Sequence, residues 1–206
     1  MALTKTDALR RVMRSFALMW LLTAVGLWLG TMLPASINMP ISIITFILLV
    51  VMAFIKKVRV YNTLAYIIPI LVGITLFWTT QFYIIQLGEQ LVLTVFIGTI
   101  GLFALLGIVG WMLPDISPIG NYLFGALLVV IVFSLIFFFV PASNLVMLLF
   151  AMIVVLIFVL YTIYDFNQIR HEHIGKEDVV GHALGLYLDF INLFVRILEI
   201  IWRLKD

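Results

Sequence analysis

The 206-residue chain has no cysteine. Disulfides, thiol nucleophiles and thiolate-bound metals are therefore excluded, and nothing follows about redox compartment. Charge is the second shortage. Only 11% of the residues are Asp, Glu, Lys or Arg, where a soluble domain carries about a quarter. The net charge of +2 is too small to argue for a nucleic-acid partner. What remains is 65% hydrophobic, more than one small core can bury, so lipid is the expected solvent. Seven spans of roughly 20 residues fill the length. The expectation is one transmembrane domain over residues 1–206, with no room for a separate soluble one.

The apolar runs fall near 15–33, 40–55, 63–85, 91–112, 120–140, 144–168 and 181–202. Pro34 and Pro40, Lys56-Lys57-Val58-Arg59, Gly88-Glu89, Pro114-Asp115 with Pro118, and Pro141 punctuate them. The one substantial loop is 169–180. In hydrocarbon each backbone donor must be satisfied within its own segment, so the runs are read as helices. Arg10, Arg11 and Arg14 before the first run raise the question of a signal peptide. Leu33-Pro34-Ala35 is a poor cleavage site, so a retained first helix is expected.

Basic residues orient the bundle. Lys5, Arg10, Arg11, Arg14, Lys56, Lys57, Arg59, Arg170 and Lys176 share one side if there are seven spans. The positive-inside bias then puts the amino terminus in the cytoplasm. A re-entrant last segment would return the basic carboxy terminus, with Arg203 and Lys205, to that side. The fourth span carries Gly98, Gly101, Ala104, Gly107 and Gly110, and Gly26 with Gly30 and Gly181 with Gly185 are small-residue pairs. Such spacing suits close helix packing.

The seventh run differs from the rest. His182, Gly185, Asp189, Asn192, Arg196, Glu199 and Arg203 recur at spacings of three and four, on one stripe. A charged residue facing lipid costs about 2.5–3.5 kcal/mol near the bilayer centre. The stripe is therefore expected to face protein or water, as a supporting polar seam. A surface helix lying on the membrane would carry more basic residues on its polar face. Arg196 and Glu199 are spaced to pair.

That leaves Asp189 and, at the end of the sixth run, Asp165. An ionisable group at membrane depth survives best beside a partner, a cavity or a transported ion. The interiors of the first five spans offer no charge, so each acid is the other's natural partner. Two carboxylates in a dry site cannot both ionise cheaply, because each loses hydration and the first charge opposes the second. A shared proton is the expected ground state, titrating as a property of the pair. Its loss would push the helices apart or admit a cation such as Ca²⁺, which favours carboxylate oxygens. The residues alone allow this switch and equally a static helix–helix hydrogen bond. Lys57, or its neighbours Lys56 and Arg59, would act either as a latch on Asp165 or as headgroup anchors.

Ile163-Tyr164-Asp165-Phe166-Asn167-Gln168-Ile169 and the run from Leu184 to Phe194 resemble the paired signatures of the BAX-inhibitor-1 (transmembrane BAX inhibitor motif) family. The likeness includes Met39-Pro40-Ile41-Ser42, Gly73-Ile74-Thr75-Leu76 and Tyr161 to His173, and is closest to the bacterial YetJ-like calcium-leak branch. The resemblance implies an all-α membrane protein of seven transmembrane helices, six wrapped around a central carboxy-terminal helix. It implies a pH-sensitive Ca²⁺ leak, in the plasma (inner) membrane if the source is bacterial, with calcium and protons as the species handled and no cofactor. Asp165 and Asp189 would form the proton-sharing pair and the calcium contact. Lys57 stands where close relatives have a latch arginine, losing the bidentate fork, and Thr45 stands where one has an acid.

Other function classes fit less well. Intramembrane aspartyl proteases place a Tyr-Asp and an Asp on successive helices, but their second motif reads Gly-x-Gly-Asp, and Leu186-Tyr187-Leu188 precedes Asp189 here. A retinal protein needs a lysine deep in the last span, where none occurs. His171-Glu172-His173 lacks the i, i+4 spacing of zinc helices. No enzymatic activity is expected. A non-conducting membrane protein that binds a regulator through 169–180 remains the alternative.

Overall fold

The computed structural model describes residues 4–52, 55, 57–140 and 142–205. Lys56 and Pro141, read above as loop residues, lie outside them. Seven α-helices make up the described chain: α1 Lys5–Met32, α2 Asn38–Met52, α3 Val58–Leu87, α4 Glu89–Met112, α5 Gly120–Phe139, α6 Asn144–His171 and α7 Val179–Lys205. Short 3₁₀ turns, Ala35–Ile37 and Ser117–Ile119, precede α2 and α5. No strand occurs among the described residues.

The helices outrun the apolar stretches that announce them. α1 begins at Lys5, ten residues before its apolar run, because Arg10, Arg11 and Arg14 interrupt hydropathy without interrupting the backbone. Thr4 caps it: its hydroxyl oxygen accepts from the Asp7 N–H at 3.2 Å, satisfying one of the first-turn donors left without an intrahelical partner. Similarly, α6 continues past residue 168 through Ile169 and Arg170 to His171, residues read above as part of the loop 169–180. Six helical segments are long and apolar enough to cross a membrane among the described residues. They comprise α1, α3, α4, α6, and α2 and α5 with their leading turns. α7 is not among them.

Two compact units make up the chain, residues 1–85 with 173–187, and residues 86–172 with 188–206. In the first unit, α1 and α3 approach backbone to backbone. A Cβ on Gly26 would collide with the Ile70 carbonyl, and one on Gly73 would lie 2.8 Å from the Gly26 Cα and overlap the Thr23 carbonyl. The small-residue pair Gly26 and Gly30 is thus used for packing, against Gly73 and Phe77. The start of α7 belongs to this unit as well. Tyr187 is fully buried, with its hydroxyl 2.7 Å from that of Thr23 and its ring edge-on to Trp20.

In the second unit, α4 packs along α6, with α5 also against α6. Only part of the small-residue track on α4 is used here. Gly107 receives the Phe166 ring and Gly110 meets the Ile163 carbonyl, whereas Gly98 and Gly101 face open space. The contact residues therefore sit at the carboxy-terminal end of α4, beside the last turns of α6.

Substituting Gly73→Val tests the α1–α3 contact. Overpacking of this kind costs about 1–3 kcal/mol, so the thermal unfolding midpoint of the protein in detergent should fall clearly. Gly98→Val, into open space, should leave that midpoint nearly where it was.

Candidate functional site

Both singled-out acids belong to the second unit. Asp165 is six residues before the end of α6 and half-buried. Asp189 is ten residues into α7 and 4% exposed. They are close enough for the Asp165 charge to act on Asp189. Asp189 Oδ2 is buried and has no hydrogen-bond partner among the described residues. An orphaned buried carboxyl oxygen loses water and gains nothing in return, which is costly.

The aromatic packing explains how two helices bring these acids together. Each Asp is followed by Phe. Phe166 and Phe190 both meet Phe103 of α4 edge-on, with ring centroids 5.5 and 5.4 Å away. Phe96, one further turn or two back along α4, meets Phe190 at 5.9 Å and Phe194 at 5.4 Å. Edge-to-face pairs of this kind contribute about 0.5–1.5 kcal/mol each beyond their burial. One α4 ring thus fixes the residue next to each acid.

The last turns of α6 are held by polar contacts. Asn167 is fully buried. Its amide nitrogen donates to the carbonyls of Gly110, Leu113 and Pro114 at 3.0, 3.2 and 2.9 Å. Its amide oxygen accepts from the Ile116 N–H at 3.0 Å. Gln168 donates to the Ser117 hydroxyl at 3.0 Å, and Arg170 donates to the Trp111 carbonyl. Carbonyls at a helix end have no intrahelical partner, and α6 side chains supply one here. Outside the spans, Asp115 accepts from the Ser117 N–H at 2.9 Å and from its hydroxyl at 2.5 Å. The Ser117 hydroxyl first, then its N–H, holds the exposed Asp115 carboxyl below the usual carboxylate range.

The remaining expected residues separate into distinct roles. Arg196 and Glu199 pair at 2.5 Å, and Arg203 adds a second bond to the same carboxylate at 2.9 Å. Arg203 also exchanges hydrogen bonds with Asn144 at the start of α6, at 3.1 Å each. Glu199 is 6% exposed, and a buried carboxylate of this kind needs such pairing. Asn192 bonds the Leu188 carbonyl of its own helix at 2.8 Å. Lys57 is exposed, and its carbonyl starts α3 by accepting from Val60 and Tyr61. Thr45 is buried and bonds back to Ile41 at 2.7 Å. His171 places Nδ1 3.1 Å from the Asn167 carbonyl. No group of three or more His, Asp or Glu side chains suited to a metal occurs among the described residues.

The buried apolar side chains of α7, among them Leu184, Leu186, Tyr187, Phe190, Leu193 and Leu198, fall on one half of the helix, and Asp189 and Glu199 are buried on the other. That argues against a helix resting on a membrane surface, which would leave a face open. Three features of the site were missed by sequence reading: the Asn167 clasp, the shared Phe103, and Arg203 as second partner of Glu199. Arg203 carried a usable signal, since it stands four residues after Glu199.

The family model described as "Inhibitor of apoptosis-promoting Bax1" matches residues 5–205. Inner membrane protein YbhL of Escherichia coli (strain K12) is 31% identical over 167 residues, covering 75% of this chain and 69% of that protein. Bax inhibitor 1 of Schizosaccharomyces pombe is 40% identical over 92 residues, covering 45% of this chain and 34% of that protein. Protein LIFEGUARD 1 of Arabidopsis thaliana is 39% identical over 87 residues, covering 42% and 37%. The match thus spans little more than a third of the yeast and plant relatives. Six apolar helical segments and a relative named as an inner membrane protein make this a multi-pass membrane protein.

The Asp115 turn gives a pH test. A carboxyl held below its ordinary value stabilises the fold above that value, and the stabilisation is lost as pH falls through the lowered one. The difference in unfolding temperature between wild type and Asp115→Ala should be full at neutral pH. It should close as the medium is acidified below about 3.9, the ordinary Asp value. A gap of constant size down to strong acid would contradict this account.

Proposed function

A chain matched from residue 5 to 205 by that model belongs to the family of inhibitors of apoptosis-promoting Bax1, and from this membership and its neighbouring acids, Asp189 buried and Asp165 half-buried, we propose that it is a pH-sensitive calcium leak. The gate in this reading is Asp165 with Asp189. The observation that carries it is the convergence of both Asp-Phe dipeptides on Phe103, with one Asp189 oxygen buried and partnerless.

A buried oxygen without a donor, beside a second carboxyl, has two ways to lower its energy. It can share a proton with its neighbour in a short charge-assisted bond, or it can meet a cation. Protonation and cation contact therefore compete for the same oxygens, and the competition makes conduction depend on pH. Calcium takes 6–8 oxygen ligands. Two carboxyls supply only part of that set, so an ion passing here keeps water and is held weakly, which suits passage rather than storage. No cofactor and no catalysed reaction enter the proposal. Calcium, protons and the surrounding lipid are its partners.

The test uses purified protein in vesicles loaded with a calcium indicator, with flux recorded over a pH series. Wild type should conduct with a clear pH dependence. Asp165→Asn and Asp189→Asn should each flatten that dependence, since an amide neither shares nor releases the proton. An unaltered pH profile in both variants would remove the pair from the gate, and a wild type that passes no calcium at any pH would remove the leak itself.

A further inference from the structure

The Asn167 clasp lies two residues from Asp165. On a helix, two residues are about 200° apart. Phe166 and Asn167 face α4 and the turn after it, so Asp165 is presented from the opposite side. Whatever fixes the rotation of these last turns about the α6 axis also fixes where that carboxyl points.

Apolar packing restrains this rotation weakly, because Phe166 against Gly107 and Phe103 tolerates small sliding motions. The amide of Asn167 is more exacting. It bonds three carbonyls and one N–H spread over Gly110, Leu113, Pro114 and Ile116, and Arg170 adds the Trp111 carbonyl one turn further on. A turn of α6 by a few tens of degrees would break most of these bonds together. Each buried polar group left unmatched costs about 1–3 kcal/mol.

We propose that Asn167 is a positioning residue for the carboxyl pair, locking the end of α6 to the end of α4 so that Asp165 keeps its relation to Asp189. The functional consequence rests on the gate reading above, whereas the positional claim does not. The charged and titratable surroundings are few. Glu172 acts on Asp165 from the end of the same helix, and Asp189 lies near it on α7. The Tyr161 phenol lies near both acids, and the Tyr164 phenol near Asp165, Glu172 and Asp115. Arg170 is committed to the Trp111 carbonyl, and the His171 ring lies against the Asn167 carbonyl. α4 brings no charged residue apart from Glu89 at its start, and α5 brings none.

The experiment reads the proton directly. Infrared difference spectra of the full chain follow the protonated-carboxyl band through a pH titration, with the band assigned by its loss in Asp165→Asn. Calcium flux in vesicles is recorded over the same range. Asn167→Ala should move the band's midpoint by about half a pH unit or more, and the flux profile should move with it. Asn167→Ser keeps one donor and covers the case in which the alanine variant does not fold; a smaller shift is expected. Thr94→Ala removes a bond to the Gln90 carbonyl at the other end of α4 and should move neither. An unmoved midpoint in a folded Asn167 variant overturns the proposal, as does an equal shift in Thr94→Ala. A midpoint that moves in protein that passes no calcium leaves the positioning role standing and discards the leak.

Discussion

Among the described residues Asp189 Oδ2 is the one carboxyl oxygen that is buried without a hydrogen-bond partner, which makes it the atom to explain. It is buried beside a second acid, and the residue next to each acid packs on the Phe103 ring. A carboxylate in that position would face a desolvation penalty that geometry does not offset. Glu199 makes the contrast on the same helix. Ten residues further on, it is nearly as buried, yet two guanidiniums serve its two oxygens. One acid on α7 is fully compensated and the other is left short. The first is paired along its own helix, where it holds the Arg203 that bonds Asn144 of α6, and the second remains open to a proton or a cation.

The helices around the pair are arranged to keep it in register. Phe103 touches the residue beside each acid, and the Asn167 amide closes the end of α4 against the end of α6. These constraints differ in kind. Rings set spacing and yield gradually, whereas hydrogen bonds to fixed carbonyls set angle and fail together.

How much of this could be read from the residues follows from what hydropathy measures. Runs of apolar side chains located all seven helices, because in lipid the backbone has few alternatives. Their ends were misplaced where charge and helix overlap, as at Arg10–Arg14 and at Ile169–His171. The two acids stood out because the interiors of the first five spans carry no charge, and the spacing of Arg196 and Glu199 announced their bond. The clasp was hidden for a different reason. Asn167 reaches residues more than fifty positions earlier, and no local pattern shows which carbonyls a buried amide will meet. Phe103 was equally silent, one phenylalanine among 17.

The backbone contact between α1 and α3 has a consequence for the surrounding lipid. Where Gly26 and Gly73 touch, no acyl chain can slip between the helices, so the two behave as one thick rod over that stretch. Bilayers of different thickness are then met by leaning this rod rather than by separating its members.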